Sequence, residues 1–448
     1  MMIARVSLLL LGVSCTLGSS LVSANSISST DATFWQEEQT PIVQNISGFY
    51  LARQYARFNR LDEGPTGKKI ADEYTLRNRL RLRTDFLFNR SLSGAISMDT
   101  EFNYGVNGGR TELEGRYARL WDAYVNVEGD RMNLRLGRQT IRWGKADQVN
   151  VIDNFTPQDL REFLNLSRED RKWPVWAVKS TYYLSDRHVL EAIWIPVFEP
   201  SPVAGSEDDW EFFIRRNYVK AVGLRLLQDR LPSHKLRNGV LASRLAYSGQ
   251  DFDASVSYAY HFDEIPSYNA NLSNGTVQAE FPRQHSIGMD FETTREGLGF
   301  RGEAVYTTNR AYATFDRTVS GLIARKPTLQ TVIGADYTFK SQTYLNLQLT
   351  QDYIFHYEEL MQPLRYKKSV VTLIRQPFFH DQWELEFQSR FFLSEVDSFY
   401  RIQLRYDFLD DLRLTFGIMI FRGNDYALFG QYRHNNQGFF NLRYDFQH

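Results

Sequence analysis

From about residue 47 to the end of the chain, apolar and polar side chains alternate in blocks separated by short polar connectors. Phe252, Ala254, Val256, Tyr258, Tyr260 and Phe262 oppose Asp251, Asp253, Ser255, Ser257, Ala259 and His261, and Leu345, Leu347 and Leu349 oppose Asn346, Gln348 and Thr350. Trp383, Leu385, Phe387 and Phe391 oppose Glu384, Glu386, Gln388 and Arg390. Tyr400 to Phe408 alternate with Arg401, Gln403, Arg405 and Asp407 in the same way. A period of two puts successive side chains on opposite faces of a strand, so each block predicts a strand with one apolar and one wet face.

Glu128-Gly129-Asp130, Lys340-Ser341-Gln342 and Asp410-Asp411 read as hairpin turns, and the segments 199–217, 263–284 and 309–327 as longer rim loops. A first strand is expected across Ser47 to Phe58, followed by a Gly/Pro/Lys loop near Gly64 to Asp72. The alternation of short turns and long loops breaks between residues 218 and 262, where one strand assignment is spurious. About 20 candidates reduce to 18 on the preference of single-chain bacterial barrels for even numbers, with 16 to 20 as the range. The fold class is therefore all-β: a transmembrane antiparallel β-barrel of about 18 strands. Its last strand points Phe440, Leu442, Tyr444 and Phe446 outward, and this aromatic ending resembles an outer-membrane assembly signal.

Composition agrees with this pattern. The chain is 15% aromatic, with 25 Tyr and 32 Phe, yet its mean hydropathy is −0.42. A wall with one face in lipid and one in water produces that mixture. After residue 24 no apolar run approaches the roughly 18 residues a membrane helix needs. Residues 1–24 read as a secretory signal peptide, with an apolar run from Val6 to Val13 and Val22-Ser23-Ala24 before the cleavage point. Residues 25–448 are then the barrel. Cleavage removes Cys15, the single cysteine, and with it disulfides, thiolate catalysis and Cys-ligated metal.

Charge matters by placement, since the net charge is only −1 and argues for no nucleic acid partner. Arg77, Arg79, Arg81 and Arg83 alternate with Leu76, Asn78, Leu80 and Leu82. An Arg facing lipid near the bilayer midplane costs about 2–4 kcal/mol, so the ladder must face the lumen, spanning about 20 Å of its height. With Arg135 these are the expected pore-lining residues. Two readings stand: a cationic wall that enriches anions, or a wall neutralised by Asp85, Asp99, Glu101 and Asp122.

One stretch interrupts the strands. Between the alternating Met132–Gly137 block and the strand that resumes at Trp176, residues 143–174 form an insert. Thr156-Pro157-Gln158-Asp159 carries a helix-start signature, and Leu160, Phe163 and Leu164 follow at helical spacing. The insert is expected to be a loop folded inward, carrying a short helix and constricting the lumen. The alternative is a capped surface loop. Arg138, Arg142, Lys145, Asp147, Asp153, Asp159, Arg161 and Glu162 supply both charge signs, with Trp143 and Asn150 beside them as candidate constriction residues. Solute contact is one role for this set. The other is structural, with Asp153-Asn154 forming an Asx turn and Trp143 anchoring the loop to the wall.

The segment Arg142 to Phe163, R-W-G-K-A-D-Q-V-N-V-I-D-N-F-T-P-Q-D-L-R-E-F, resembles the signature region of a family of porin-like bacterial outer-membrane barrels, the domain of unknown function 1302. The resemblance implies an outer-membrane address and a pore-like body, and supplies no substrate. Expected partners are outer-membrane lipids, the barrel-assembly machinery and a small solute.

Enzyme signals are poor: the eight histidines show no H-E-x-x-H spacing, and there is no G-x-S-x-G elbow. No catalytic residue, cofactor or metal is assigned. The expected function is a porin-like channel for small anionic or polar solutes. The alternatives are a structural or adhesin barrel, or an outer-membrane component exporting hydrophobic or polymeric compounds.

Overall fold

The computed structural model describes residues 42–58, 74–107, 110–205 and 208–447. The expected signal peptide with Cys15, and the Gly64–Asp72 loop, lie outside the described residues.

The chain winds as an antiparallel meander. It begins β1 (Val43–Arg57), β2 (Tyr74–Asn89), β3 (Leu92–Asn107), β4 (Arg110–Glu128), β5 (Met132–Gln139), β6 (Val175–Tyr183) and β7 (His188–Ile195). After the two-residue β8 (Arg225–Leu226) come β9 (Val240–Ser248) and β10 (Phe252–Phe262), then the hairpin β11 (Ser267–Asn271) and β12 (Thr276–Glu280). The wall resumes with β13 (Arg283–Arg295), β14 (Leu298–Ala313), β15 (Ile323–Thr338), β16 (Tyr344–Ile354) and β17 (Tyr366–Phe378). It ends with β18 (Trp383–Phe392), β19 (Asp397–Leu409), β20 (Leu412–Gly423) and β21 (Gln437–Gln447).

Eighteen of these form one sheet, and β1 pairs with β21 from Ser47↔Gln447 to Arg57↔Gln437, closing it on itself. Closure satisfies the ladder hydrogen bonds of both edge strands, the condition for crossing a bilayer with strands. The remaining three, β8, β11 and β12, make a small separate sheet at the long-loop end, packed through Tyr218, Leu224, Tyr268 and Val277. Strand-like sequence within these long connections explains the excess over 18 and the broken alternation near residue 218.

Ile287, Met289, Ile333 and Leu349 are among the most exposed apolar residues and lie mid-strand, on the lipid-facing side. Near the short turns, aromatic rings make a belt: Trp383 stacks on Tyr406 at 4.2 Å, and Tyr337–Phe339 and Tyr444–Phe446 sit at the same level of their strands. Such belts mark the membrane interface. At the closing seam, a Cβ on Gly48 would meet the Arg81 carbonyl at 2.1 Å and the Phe446 ring at 2.6 Å, so only glycine fits between β2 and β21. We expect the barrel to migrate as a compact species in unheated detergent gels and as an unfolded one after boiling. Gly48→Leu should lower the temperature of that conversion by several degrees, and an unchanged temperature would show that the seam tolerates the side chain.

Candidate functional site

The connection between β5 and β6, residues 140–174, folds into the lumen. Its root is apolar: Ile141, Trp143, Ile152 and Phe155 pack on Val175, Ile193, Val240 and Ala259 of the inner wall. Trp143 is buried against Phe155, ring centroids 4.6 Å apart, and its indole N–H donates to Glu191 of β7. Trp143 is thus an anchor to the wall.

One carboxylate organises the first leg. Glu303 of β14 points inward, and its Oε1 accepts from the Lys145 and Ala146 amides at 2.7 Å. Its Oε2 accepts from the Val151 amide at 2.8 Å and the Ile152 amide at 3.4 Å. Gly144, at φ +91°, makes this approach possible, because a Cβ there would lie 2.4 Å from Glu303 Oε1. Asn150 closes the turn, its Oδ1 accepting from the Ile152 and Asp153 amides, so the Asx turn lies at Asn150 rather than at Asp153-Asn154. Further contacts reach across the lumen. Lys145 pairs with Glu292 at 3.2 Å, Asp147 with Arg301 and Asn346, the Val149 amide with Gln348, and Gln148 with Gln388 of β18. Burial pushes the Asp147 carboxyl above its ordinary value, against the pull of Arg301.

The second leg corrects the helix expectation. Residues 160–164 form a turn, and the insert's short helix is α1 (Arg168–Arg171), capped by the Ser167 hydroxyl accepting from the Asp170 amide. The cause is tertiary competition for the helix's first donors. The Asp159 amide bonds the Arg171 carbonyl, the Leu160 amide bonds the Pro202 carbonyl, and the Asp159 carboxylate accepts from the Arg161 amide and guanidinium. Burial raises the Asp159 carboxyl, but these Arg161 bonds outweigh it and hold it below the usual value. Phe163 adopts φ +48°, which turns its ring into a cluster with Trp210, Phe421, Phe429 and Tyr432 instead of onto a helical stripe.

The Arg ladder faces the lumen as the alternation requires, and each member holds a carboxylate. Arg77 pairs with Glu162 at 2.8 Å, and Arg79 and Arg81 share Asp99 at 2.5 and 2.6 Å. Arg83 pairs with Asp85 at 2.6 Å. Asp99 has no exposed surface and Arg79 only 2%, so this is the neutralised wall, stacked further on Trp121. Glu162 also pairs with Arg53 at 2.7 Å, and Arg161 reaches Glu101 at 3.4 Å. Asp153 binds Lys172 at 2.7 Å, Arg138 binds Glu199 at 2.9 Å, and Arg135 donates to Asn126 while lying over Tyr124. Most of the predicted set therefore fastens the insert; Arg142 is exposed to the remaining space.

That space is a cavity of about 930 Å³ between the insert, β1 and β17 to β21. Among its lining residues twelve are basic and five acidic. Arg375, Arg390, Arg401, Arg405, Arg413 and Arg443 come from five successive strands and were not singled out from the sequence. Each lies at the inward parity of its strand, which is the signal that identifies them. They are scattered one or two per strand, so no local run announces them. Deleting Val149 to Arg171 is expected to raise single-channel conductance in planar bilayers. Glu303→Ala, which strands buried amides at roughly 1–3 kcal/mol, is expected to increase open-channel current noise. Unaltered traces in both would place the insert outside the conduction path.

Among the described residues no cluster of His, Cys, Asp or Glu is arranged to hold a metal ion. Comparison with solved structures finds OccAB1 of Acinetobacter baumannii, at a TM-score of 0.55 and 11% identity, covering 90% of this chain and 96% of that one. OccAB3 of the same organism follows at 0.52 and 10%, covering 90% and 99%. The outer membrane channel DcaP of A. baumannii is found at 0.45 and 12%, covering 93% and 100%. At these identities the likeness is one of fold, that of a large closed β-barrel. No curated protein matches the chain. The family model described as "Protein of unknown function (DUF1302)" matches residues 66–446, and the chain belongs to that family of porin-like outer-membrane barrels.

Proposed function

We propose that this porin-like barrel is a channel whose solute path runs along β17 to β21, between that wall and the insert, and favours small anions. The observation that carries the reading is the excess of basic over acidic residues lining the cavity there. Cationic linings raise the local concentration of anions and lower their barrier to passage. The β2 ladder contributes little, because Asp99 and Glu162 take up its charge within hydrogen-bonding distance.

At the short-turn end, Arg375 pairs with Glu386 at 2.8 Å, Arg405 with Glu384 at 2.7 Å, Arg413 with Asp407 at 2.6 Å and Arg443 with Asp445 at 2.8 Å. These pairs make that mouth polar and only mildly cationic. The porin-like neighbours are channels rather than enzymes, which supports a transport role over a catalytic one.

In a salt gradient across a planar bilayer, the reversal potential is expected to report anion preference. Arg405→Glu with Arg413→Glu should move it toward cations, more at 0.1 M than at 1 M salt, where screening shortens from about 10 Å to about 3 Å. A cation-selective wild type would refute the reading, and a barrel that carries no current would favour a structural role.

A further inference from the structure

Two arginines at the inner end of the cavity differ from the rest. Among the described residues Arg390 of β18 and Arg401 of β19 have no carboxylate within 4.0 Å, whereas Arg375, Arg405, Arg413 and Arg443 each hold one. Arg390 Nε donates to Ser369 Oγ at 3.0 Å, and Arg401 donates to the Leu164 carbonyl and, at 3.3 Å, to Met419 Sδ. Arg401 Nε is buried and has no hydrogen-bond partner among the described residues.

The register sets the two side by side. Arg390 is opposite Phe399 and Gln388 is opposite Arg401, so the arginines are diagonal neighbours on the inward face. Diagonal positions on adjacent strands lie about 7–8 Å apart, within reach of a single anionic group held by two guanidinium groups.

Apolar side chains lie around them, with Glu386, Gln388, Ser389 and Gln403 sharing the cavity. Val371, Leu373, Phe399, Met419, Phe429 and Phe439 line the same cavity. Arg390 lies 4.9 Å over Phe392, and Arg401 5.5 Å over Phe399. Cations held against apolar groups with no carboxylate in hydrogen-bonding reach are costly, and a bound anion removes much of that cost. A fully hydrated inorganic anion would leave the apolar surfaces in contact with water. An anion with an apolar body covers them while its charged end meets the arginines. The cavity, at about 930 Å³, lies in the roughly 300–1,000 Å³ range of small-molecule pockets.

We infer that Arg390 and Arg401, with the aromatic and aliphatic side chains around them, form a binding site for amphipathic carboxylates: an aryl or short alkyl body packed on Phe399, Phe429 and Leu373, its carboxylate between the two guanidinium groups. The inference rests on the channel reading for the ligand's route of entry, and it names the class of solute that would pause there.

The test is calorimetric titration of the full barrel in detergent micelles with 3-phenylpropionate, acetate and 3-phenylpropanamide. Saturable binding of 3-phenylpropionate is expected, at least tenfold tighter than acetate or the neutral amide. Arg401→Gln and Arg390→Gln should each weaken it at least tenfold, while Arg401→Lys, which keeps the charge, should lose less than Arg401→Gln. Retention of the heat-modifiable gel shift checks that each variant has folded. Equal affinity for the amide or for acetate overturns the site, as does undiminished binding in both glutamine variants. Wild-type current in bilayers is read separately. A conducting barrel that does not distinguish phenylpropionate from acetate keeps the channel and loses the site, and a binding barrel without current keeps the site and loses the channel.

Discussion

The hydrocarbon interior of a bilayer offers no hydrogen-bond partners, and every feature of this chain answers to that constraint. A strand wall is tolerated there only if closed, so the seam between β1 and β21 is where the fold is completed. Once closed, the sheet assigns every second side chain to lipid and the others to an enclosed space. The polar residues of 18 strands are thereby concentrated in the lumen, where charges must find partners or remain exposed to water. The β2 ladder finds its partners on β3 and the insert, and becomes part of the wall.

The insert divides what remains. Glu303 gathers amides from both sides of the Gly144–Ile152 turn, and the flanking contacts to β10, β13 and β16 draw the first leg against that wall. The second leg reaches β1, β2, β19 and β21 through Glu162, Leu164 and Asn165, while Phe163 locks into rings from two other long connections. Space survives between the insert and β17 to β21. Its position follows from where the insert is tied, so one carboxylate of the wall, Glu303, and the glycine laid against it, Gly144, help decide where a solute can go.

Much of this was legible in the residue pattern, because period-two alternation has a direct physical meaning. The lumen-facing side of Arg77 to Arg83, the turns at Gly129, Ser341 and Asp410, and the outward face of β21 follow from it without tertiary information. The helix expected after Thr156 was not legible: its donors went to Arg171 and Pro202, partners that local propensity does not see. Glu303 was equally hidden, being one inward carboxylate among many until the insert is laid over it. The arginines of β17 to β21 were visible one by one as polar positions. Their convergence on a common cavity depends on barrel closure and on which side the insert leaves open.

The most direct measurement of that division introduces single cysteines into a chain whose one native cysteine is Cys15. In a Cys15→Ser background, Thr415→Cys lies on the cavity wall, while Ser257→Cys is buried on β10 opposite Gly288, where an added Cβ would meet Ile152 of the insert at 3.3 Å. A negatively charged, water-soluble thiol reagent applied during bilayer recording should modify Thr415→Cys and lower its current, leaving Ser257→Cys unaffected. Current loss at Ser257→Cys with none at Thr415→Cys would put the path on the other side of the insert and contradict the account.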